Sequence, residues 1–239
     1  MKILLQLCLA LLLSATAYSD SQPVNTSNAS FEQYPSLDDV ETQAFLQQGL
    51  AYAIELYGAP RIPVNRVWLR FRPSQPFTNI TDAQEGFFTI FLSRSKDEYA
   101  FYGQLAHEIP HLLNAYLYDA YAEGLNTVFA EKMLRRNNMG WSGWEEYYRK
   151  HNDPFYAATY LMMKDVVRVA GADSMRTLLR HAKAEPKDPQ RMYIDIDEWI
   201  STLASANKDT VKKTILKHAA EVKRSLGTSA LINSFRLPQ

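Results

Sequence analysis

One cysteine in 239 residues, Cys8, leaves no partner for an intrachain disulfide and no material for a Cys-rich zinc finger or an iron–sulfur site. A surplus of one charge is equally missing. Lys and Arg number 26 and Asp and Glu number 26, so the formal net charge is zero and nothing in the balance recommends a nucleic acid or a polybasic membrane contact. With 9 Gly and 11 Pro the chain is no low-complexity or collagen-like polymer. The sequence also lacks G-x-x-x-x-G-K-[ST], G-x-G-x-x-G and G-x-S-x-G, which removes the ordinary cues for a P-loop, a dinucleotide fold or an α/β-hydrolase site.

What is present is a chain able to build a core: 46% of its residues are hydrophobic and 12% aromatic. Its first seventeen residues run from Lys2 through the apolar stretch Ile3 to Leu13 and close on Ala15-Thr16-Ala17. That is the form of a secretory signal peptide cleaved near Ala17, too short for the roughly 20 apolar residues of a membrane span. No later stretch could span a bilayer, so the expectation is a secreted or periplasmic protein with no stable membrane anchor and, after cleavage, no thiol. Residues 18–35 are polar at first and read as a flexible leader, and 36–239 as one domain.

Within that domain Ser36 looks like the cap of a first helix carrying Leu46, Leu50, Ala53, Ile54 and Tyr57 and ending near Gly58. Two β segments follow. In residues 66–72, Val67, Leu69 and Phe71 alternate with Arg66, Arg70 and Arg72, which points those arginines to solvent or a substrate carboxylate. The run FFTIFL occupies 87–92. Beyond it the pattern predicts helices near 97–117, 119–136, 154–170, 173–183, 195–204 and 208–226, the last with its lysines on a solvated face. The fold class expected is α+β: a small N-terminal strand layer, then a mostly helical body.

One segment carries chemistry. His107-Glu108-Ile109-Pro110-His111 has the spacing H-E-x-x-H, and residues i and i+4 of a helix share a face. Two imidazoles there can take two corners of a zinc site, with Glu108 as general base beside the water that zinc activates. With 5 His in the chain and its complement of Glu, chance supplies this pattern about 0.006 times. A third ligand is required. A metzincin would need His at position 117, which is Leu117, so that class is excluded. Tyr121-Ala122-Glu123-Gly124-Leu125-Asn126 offers a carboxylate twelve residues past His111, far enough for one helix to finish and a second to return. Asp119 and Glu131 are rivals near the same face.

His107 to His111 followed by a helix opening Glu-Gly-Leu resembles the gluzincin metallopeptidases. The resemblance implies a zincin-like fold, a Zn2+ ion held by His107, His111 and Glu123, Glu108 as base, and a peptide or protein substrate. Pro154-Phe155-Tyr156 resembles the aminopeptidase segment that begins Pro-Tyr, which makes Tyr156, or failing that Tyr160, the donor to the oxyanion. FFTIFL resembles the edge strand along which such enzymes lay an extended peptide. One residue departs from the family pattern: Pro110, inside the motif, lacks an N–H for the Ala106 carbonyl and costs about 3 kcal/mol within a helix. Either zinc binding outweighs that kink or the helix starts at Pro110 and turns His107 and Glu108 away. The rival to a peptidase is a non-catalytic exported protein that keeps a degenerate zincin scaffold for binding or structure. His151, His181 and His218 read as surface or helix-end residues.

Overall fold

Asp39 and Thr42 open the first helix with a reciprocal capping box: the Asp39 carboxylate accepts from Thr42 N at 2.9 Å, and Thr42 Oγ1 accepts from Asp39 N at 3.1 Å. Helix α1 (Val40–Tyr57) follows and stops at Gly58, whose φ of 93° suits glycine. The cap is therefore Asp39 rather than Ser36, which forms an isolated antiparallel bridge with Arg70. The buried stripe of α1 runs through Phe45, Leu46, Gly49, Ala53 and Tyr57, while Ile54 is exposed. These features belong to a computed structural model that describes residues 31–150, 153–226 and 234–239. The expected signal segment, the leader as far as residue 30 and His151 lie outside the described residues.

The strand layer has three members, β1 (Arg66–Phe71), β2 (Phe77–Asp82) and β3 (Phe87–Leu92), in the order β1-β3-β2. β3 runs parallel to β1 and antiparallel to β2. This corrects the expectation for FFTIFL. With all six residues buried, β3 is the central strand, in keeping with a run whose one polar member is Thr89. The strand edge near the helices is β2, whose FTNITD sequence is too polar to announce itself. Arg70 is corrected as well. It is buried, with Nη1 2.6 Å from Asp38 Oδ2, because residues 36–38 cover that side of β1. Phe31 and Tyr34 lie edge-on to Phe91, each at 5.3 Å between ring centroids.

The helical body comprises α2 (Phe101–Glu108), running into a 3-10 turn over Ile109–Leu113, then α3 (Ala120–Arg136), α4 (Ser142–Arg149), α5 (Pro154–Ala170), α6 (Ala172–Leu178), α7 (Ile196–Thr202) and α8 (Ser205–Ser225). Three of these differ from the sequence expectation. The helix expected over 97–117 is shorter and changes pitch where Pro110 falls. Helix α4 was not expected. The helix expected over 173–183 ends at Leu178, and after a 3-10 turn the chain enters a hairpin of β4 (Ala182–Glu185) and β5 (Asp188–Ile194). Ala-Lys-Ala-Glu consists of helix formers, so pairing with β5 overrides local preference there.

Helix α5 packs against both α3 and α8. The α3–α5 approach depends on Gly124: a Cβ at that position would lie 2.3 Å from the Thr159 carbonyl oxygen and 2.6 Å from Met163 Cγ. The result is a mixed α/β fold of α+β type, with small sheets and a predominantly helical remainder. Among the described residues no helix is long and apolar enough to cross a membrane.

Candidate metal centre

Three elements converge on one buried point. Helix α2 and its 3-10 continuation deliver His107, Glu108 and His111; α3 delivers Glu123; and β2 supplies Thr78 from the opposite side. Backbone geometry stays helical across the change of pitch: Glu108 has φ −75° and ψ −24°, Ile109 has φ −57° and ψ −47°, and Ile109 N still donates to Leu105 O. Pro110 sits in the first turn of the 3-10 segment, where its missing N–H costs least. Neither of the two expected outcomes, a kink or a helix beginning at Pro110, describes this. The α-helix hands over to a tighter one, and both imidazoles remain on one side.

Both imidazoles meet Glu123. His107 Nε2 is 3.0 Å from Glu123 Oε2, and His111 Nε2 is 3.5 Å from Glu123 Oε1. Bonds of about 2.0–2.1 Å to a tetrahedral zinc put neighbouring ligand atoms about 3.3 Å apart, and each imidazole lies within a few tenths of an ångström of that distance from a different Glu123 oxygen. The His107 ring is also oriented from behind. Thr127 Oγ1 donates to the Glu123 carbonyl at 3.0 Å, which leaves its oxygen to accept from His107 Nδ1–H at 3.2 Å. Nε2 then faces the Glu123 carboxylate, and the 3.0 Å between them is closed by a proton on the ring in the metal-free protein or by a cation in its place. His107, Glu108 and His111, with Glu123 beside both rings, are a donor set that could hold a metal ion such as zinc.

Glu108 lies alongside. One ligand atom each from His107, Glu108 and His111 falls within 4.8 Å, so the carboxylate is near enough to join the set. Glu123 is nearer to both rings, and Glu108 Oε2 is already engaged, accepting from Thr78 Oγ1 at 2.9 Å.

The electrostatics follow from burying two carboxylates beside two imidazoles. Burial pushes the Glu108 carboxyl above its ordinary value, offset only in part by His111 and His107. Burial pushes Glu123 the same way, yet the two imidazoles more than reverse it and hold its pKa at about 2. For His111, burial acts to lower the pKa, but the charge of Glu123 and its hydrogen bond raise it to about 9. Without a metal, then, Glu123 and His111 form an ion pair.

The remaining sequence candidates separate clearly. Asp119 caps α3, accepting from Ala122 N at 2.8 Å, and ties the hairpin to it by accepting from Ile194 N at 2.6 Å; burial lifts its pKa to about 6. Both of its oxygens are thus committed away from the imidazoles. Glu131 accepts from Tyr160 Oη at 2.7 Å and pairs with Lys164 and Arg135, which withdraws both Glu131 and Tyr160. Tyr156 does reach the site, its ring edge-on to His107 at 5.5 Å, and burial among carboxylates holds its phenol well above the usual value. His181 faces Glu198 and His218 faces Asp165, both elsewhere.

Sequence reasoning missed Thr78, Thr127 and Tyr118. The Tyr118 ring stacks on His111 at 6.1 Å, and its pKa is pushed up to about 12 by burial and by Glu108 and Glu123. Thr127 had a signal, lying one turn after Glu123 on the same face; Thr78 and Tyr118 had none.

Two cavities flank the centre. One, of about 460 Å3, reaches His107 and Glu108 and is walled by Trp141, Trp144, Tyr148 and Tyr156, with Asp153 at its side. The other, of about 550 Å3, lies past Tyr118. Gln75 borders both. No protein-family model, curated protein or solved structure matches this chain.

Proposed function

We propose that this chain is an exported zinc-dependent hydrolase, a peptidase of gluzincin type on a zincin-like fold. The observation that carries the reading is the Glu123 carboxylate closing on both imidazoles, 3.0 Å from His107 Nε2 and 3.5 Å from His111 Nε2, with Glu108 next to them. Two neutral imidazoles and one carboxylate are a catalytic zinc donor set that leaves a coordination position free. When bound, zinc supplies Lewis acidity, polarising a carbonyl and acidifying water.

The chain's own groups do the rest. Thr78 aims the Glu108 carboxylate, and burial moves its pKa upward, toward the range in which a general base can also return the proton to a leaving amine. The Tyr156 phenol, kept protonated by its surroundings, is a donor for a developing oxyanion, whereas the Tyr118 hydroxyl on the His111 side already donates to the Thr78 carbonyl at 3.4 Å. β2 is an antiparallel edge strand beside Glu108, the arrangement that accepts an extended peptide by strand addition. The aromatic cavity next to His107 gives one substrate side chain a place to bury.

The test is metal content and hydrolysis read together. Purified protein is expected to hold one zinc per chain and to cleave a peptide library, and Glu108→Gln is expected to keep the zinc and lose at least about a hundredfold in rate. A metal-free protein indifferent to chelators would end the proposal. Zinc retained with no cleavage by the unaltered chain would leave the binding-scaffold alternative in its place.

A further inference from the structure

The cavity beyond Tyr118 has a chemistry that the metal centre does not use. Two guanidinium groups border it, Arg72 just past the end of the first strand and Arg191 from the hairpin, together with Phe77, Gln75, Tyr118 and one carboxylate, Asp188. Arg72 lies over the Phe77 ring at 5.0 Å and pairs with no carboxylate among the described residues. Arg191 has one acidic neighbour, Asp188, at 3.6 Å from its Nε, which is longer than a hydrogen bond and leaves most of its fork of donors uncommitted. The opposite cavity, across Gln75, is bordered by Asp153 and Glu108 and by no Lys or Arg. The two sides of the metal centre therefore differ in charge: acidic groups and aromatics without Lys or Arg on one side, two arginines against the single Asp188 on the other.

We infer that Arg72 and Arg191 bind a carboxylate of the substrate, so that the enzyme acts on peptides presenting a carboxylate a short distance from the bond to be cut. Planar guanidinium forks match carboxylates by paired hydrogen bonds, and stacking on Phe77 fixes the plane of one of them. Tyr118 joins this cavity to the centre, since its ring also stacks on His111. The carboxylate has two sources, the C-terminal α-carboxylate of a short peptide or an Asp or Glu side chain. The inference rests on the peptidase reading for turnover only; binding is separable.

Calorimetry on the full chain, with and without zinc, would compare an acetylated alanine–phenylalanine tetrapeptide as its free acid, as its C-terminal amide, and as the amide with Glu in the last position. The free acid or the Glu peptide should bind about tenfold more tightly than the plain amide, and the preference should shrink as salt rises. Whichever of the two binds better identifies the source. Arg72→Gln and Arg191→Gln should each bring the acid-to-amide ratio toward one, and Arg72→Lys should restore part of it at an unchanged melting temperature. Equal binding of all three peptides by the unaltered chain overturns the inference, as does a glutamine variant that weakens acid and amide alike. Cleavage assayed on the same peptides keeps the two ideas apart: a carboxylate preference in binding without hydrolysis removes the peptidase and leaves this site, whereas equal binding with efficient hydrolysis does the reverse.

Discussion

Replacing Glu123 by glutamine preserves shape and removes one charge from the centre of the site, and the structure gives the consequences in size and in pH. In the metal-free protein the Glu123 carboxylate raises the His111 pKa from its ordinary 6.5 to about 9. At about 1.4 kcal/mol per unit, the net shift left after burial has opposed it is worth on the order of 3 kcal/mol. The depressed pKa of Glu123 is the same interaction seen from the acid and is not added to it. The sign follows from linkage. A raised histidine pKa stabilises the fold fully below 6.5 and loses that contribution as pH rises through about 9; a lowered carboxylate pKa stabilises it above 4.5 and fails as pH falls toward 2. Chelator-treated Glu123→Gln should therefore melt below the unaltered protein by about 6–12 °C between pH 4.5 and 6.5, with the gap closing toward pH 9. Zinc affinity, read by competition with a coloured chelator, should fall by well over the tenfold to hundredfold lost with an outer-shell partner. Unchanged zinc affinity would refute Glu123 as a ligand, and a melting gap that ignores pH would refute the ion pair.

Three further substitutions probe the surroundings. Thr127→Val removes the acceptor that orients His107 Nδ1 and should weaken zinc binding about tenfold to a hundredfold while costing only about 1 kcal/mol of stability by urea unfolding; equal zinc affinity would show that the 3.2 Å contact is idle. Gly124→Ala forces a methyl against the Thr159 carbonyl, which cannot yield as a side chain would, so it should destabilise the protein by about 1–3 kcal/mol and loosen the helix that presents Glu123. An unchanged urea midpoint would contradict that packing. Pro110→Ala restores a backbone donor and should leave zinc affinity within a few-fold; a loss beyond about a hundredfold would mean that the proline itself sets the ligand geometry.

How far the sequence reveals this architecture depends on where the determining interactions lie. Helices α3 and α5 are close to their expected bounds because local signals define both ends: Asp119 and Asp153 as caps, and Asn137 and Gly171 as stops. β2 and the β4–β5 hairpin were hidden because their pairing is nonlocal and their composition neutral or contrary. FFTIFL was recognisable as a strand but misplaced at an edge, although a run buried on both faces argues for the centre of a sheet. In the site, spacing alone was enough to associate His107, Glu108 and His111. Glu123, already favoured over Asp119 and Glu131 by its spacing and by the resemblance, is the one of the three that lies beside both imidazoles, the others being engaged by backbone amides at Ala122 and Ile194 and by Tyr160 and Lys164. Thr78 and Tyr118 arrive from a strand and a loop that no periodicity ties to the motif.

Pro110 shows why the motif tolerates a residue its helix should reject. A proline in the middle of an α-helix leaves the carbonyl four residues back without its partner and clashes with it. Here the α-helix has already ended at Glu108, and the following residues wind more tightly, at about 3.0 residues per turn instead of about 3.6. Tighter winding carries His111 farther around the axis from His107 than a uniform α-helix would, and the two rings stand 5.7 Å apart, inclined by 60°. The pair can still share one partner because that partner comes from elsewhere. Asp119 fixes where α3 begins, Gly124 fixes how closely it lies against α5, and Glu123 between them spans both rings with its two oxygens. Convergence at the centre thus depends on how α2, its 3-10 continuation and α3 pack together, more than on helical regularity within the five-residue motif.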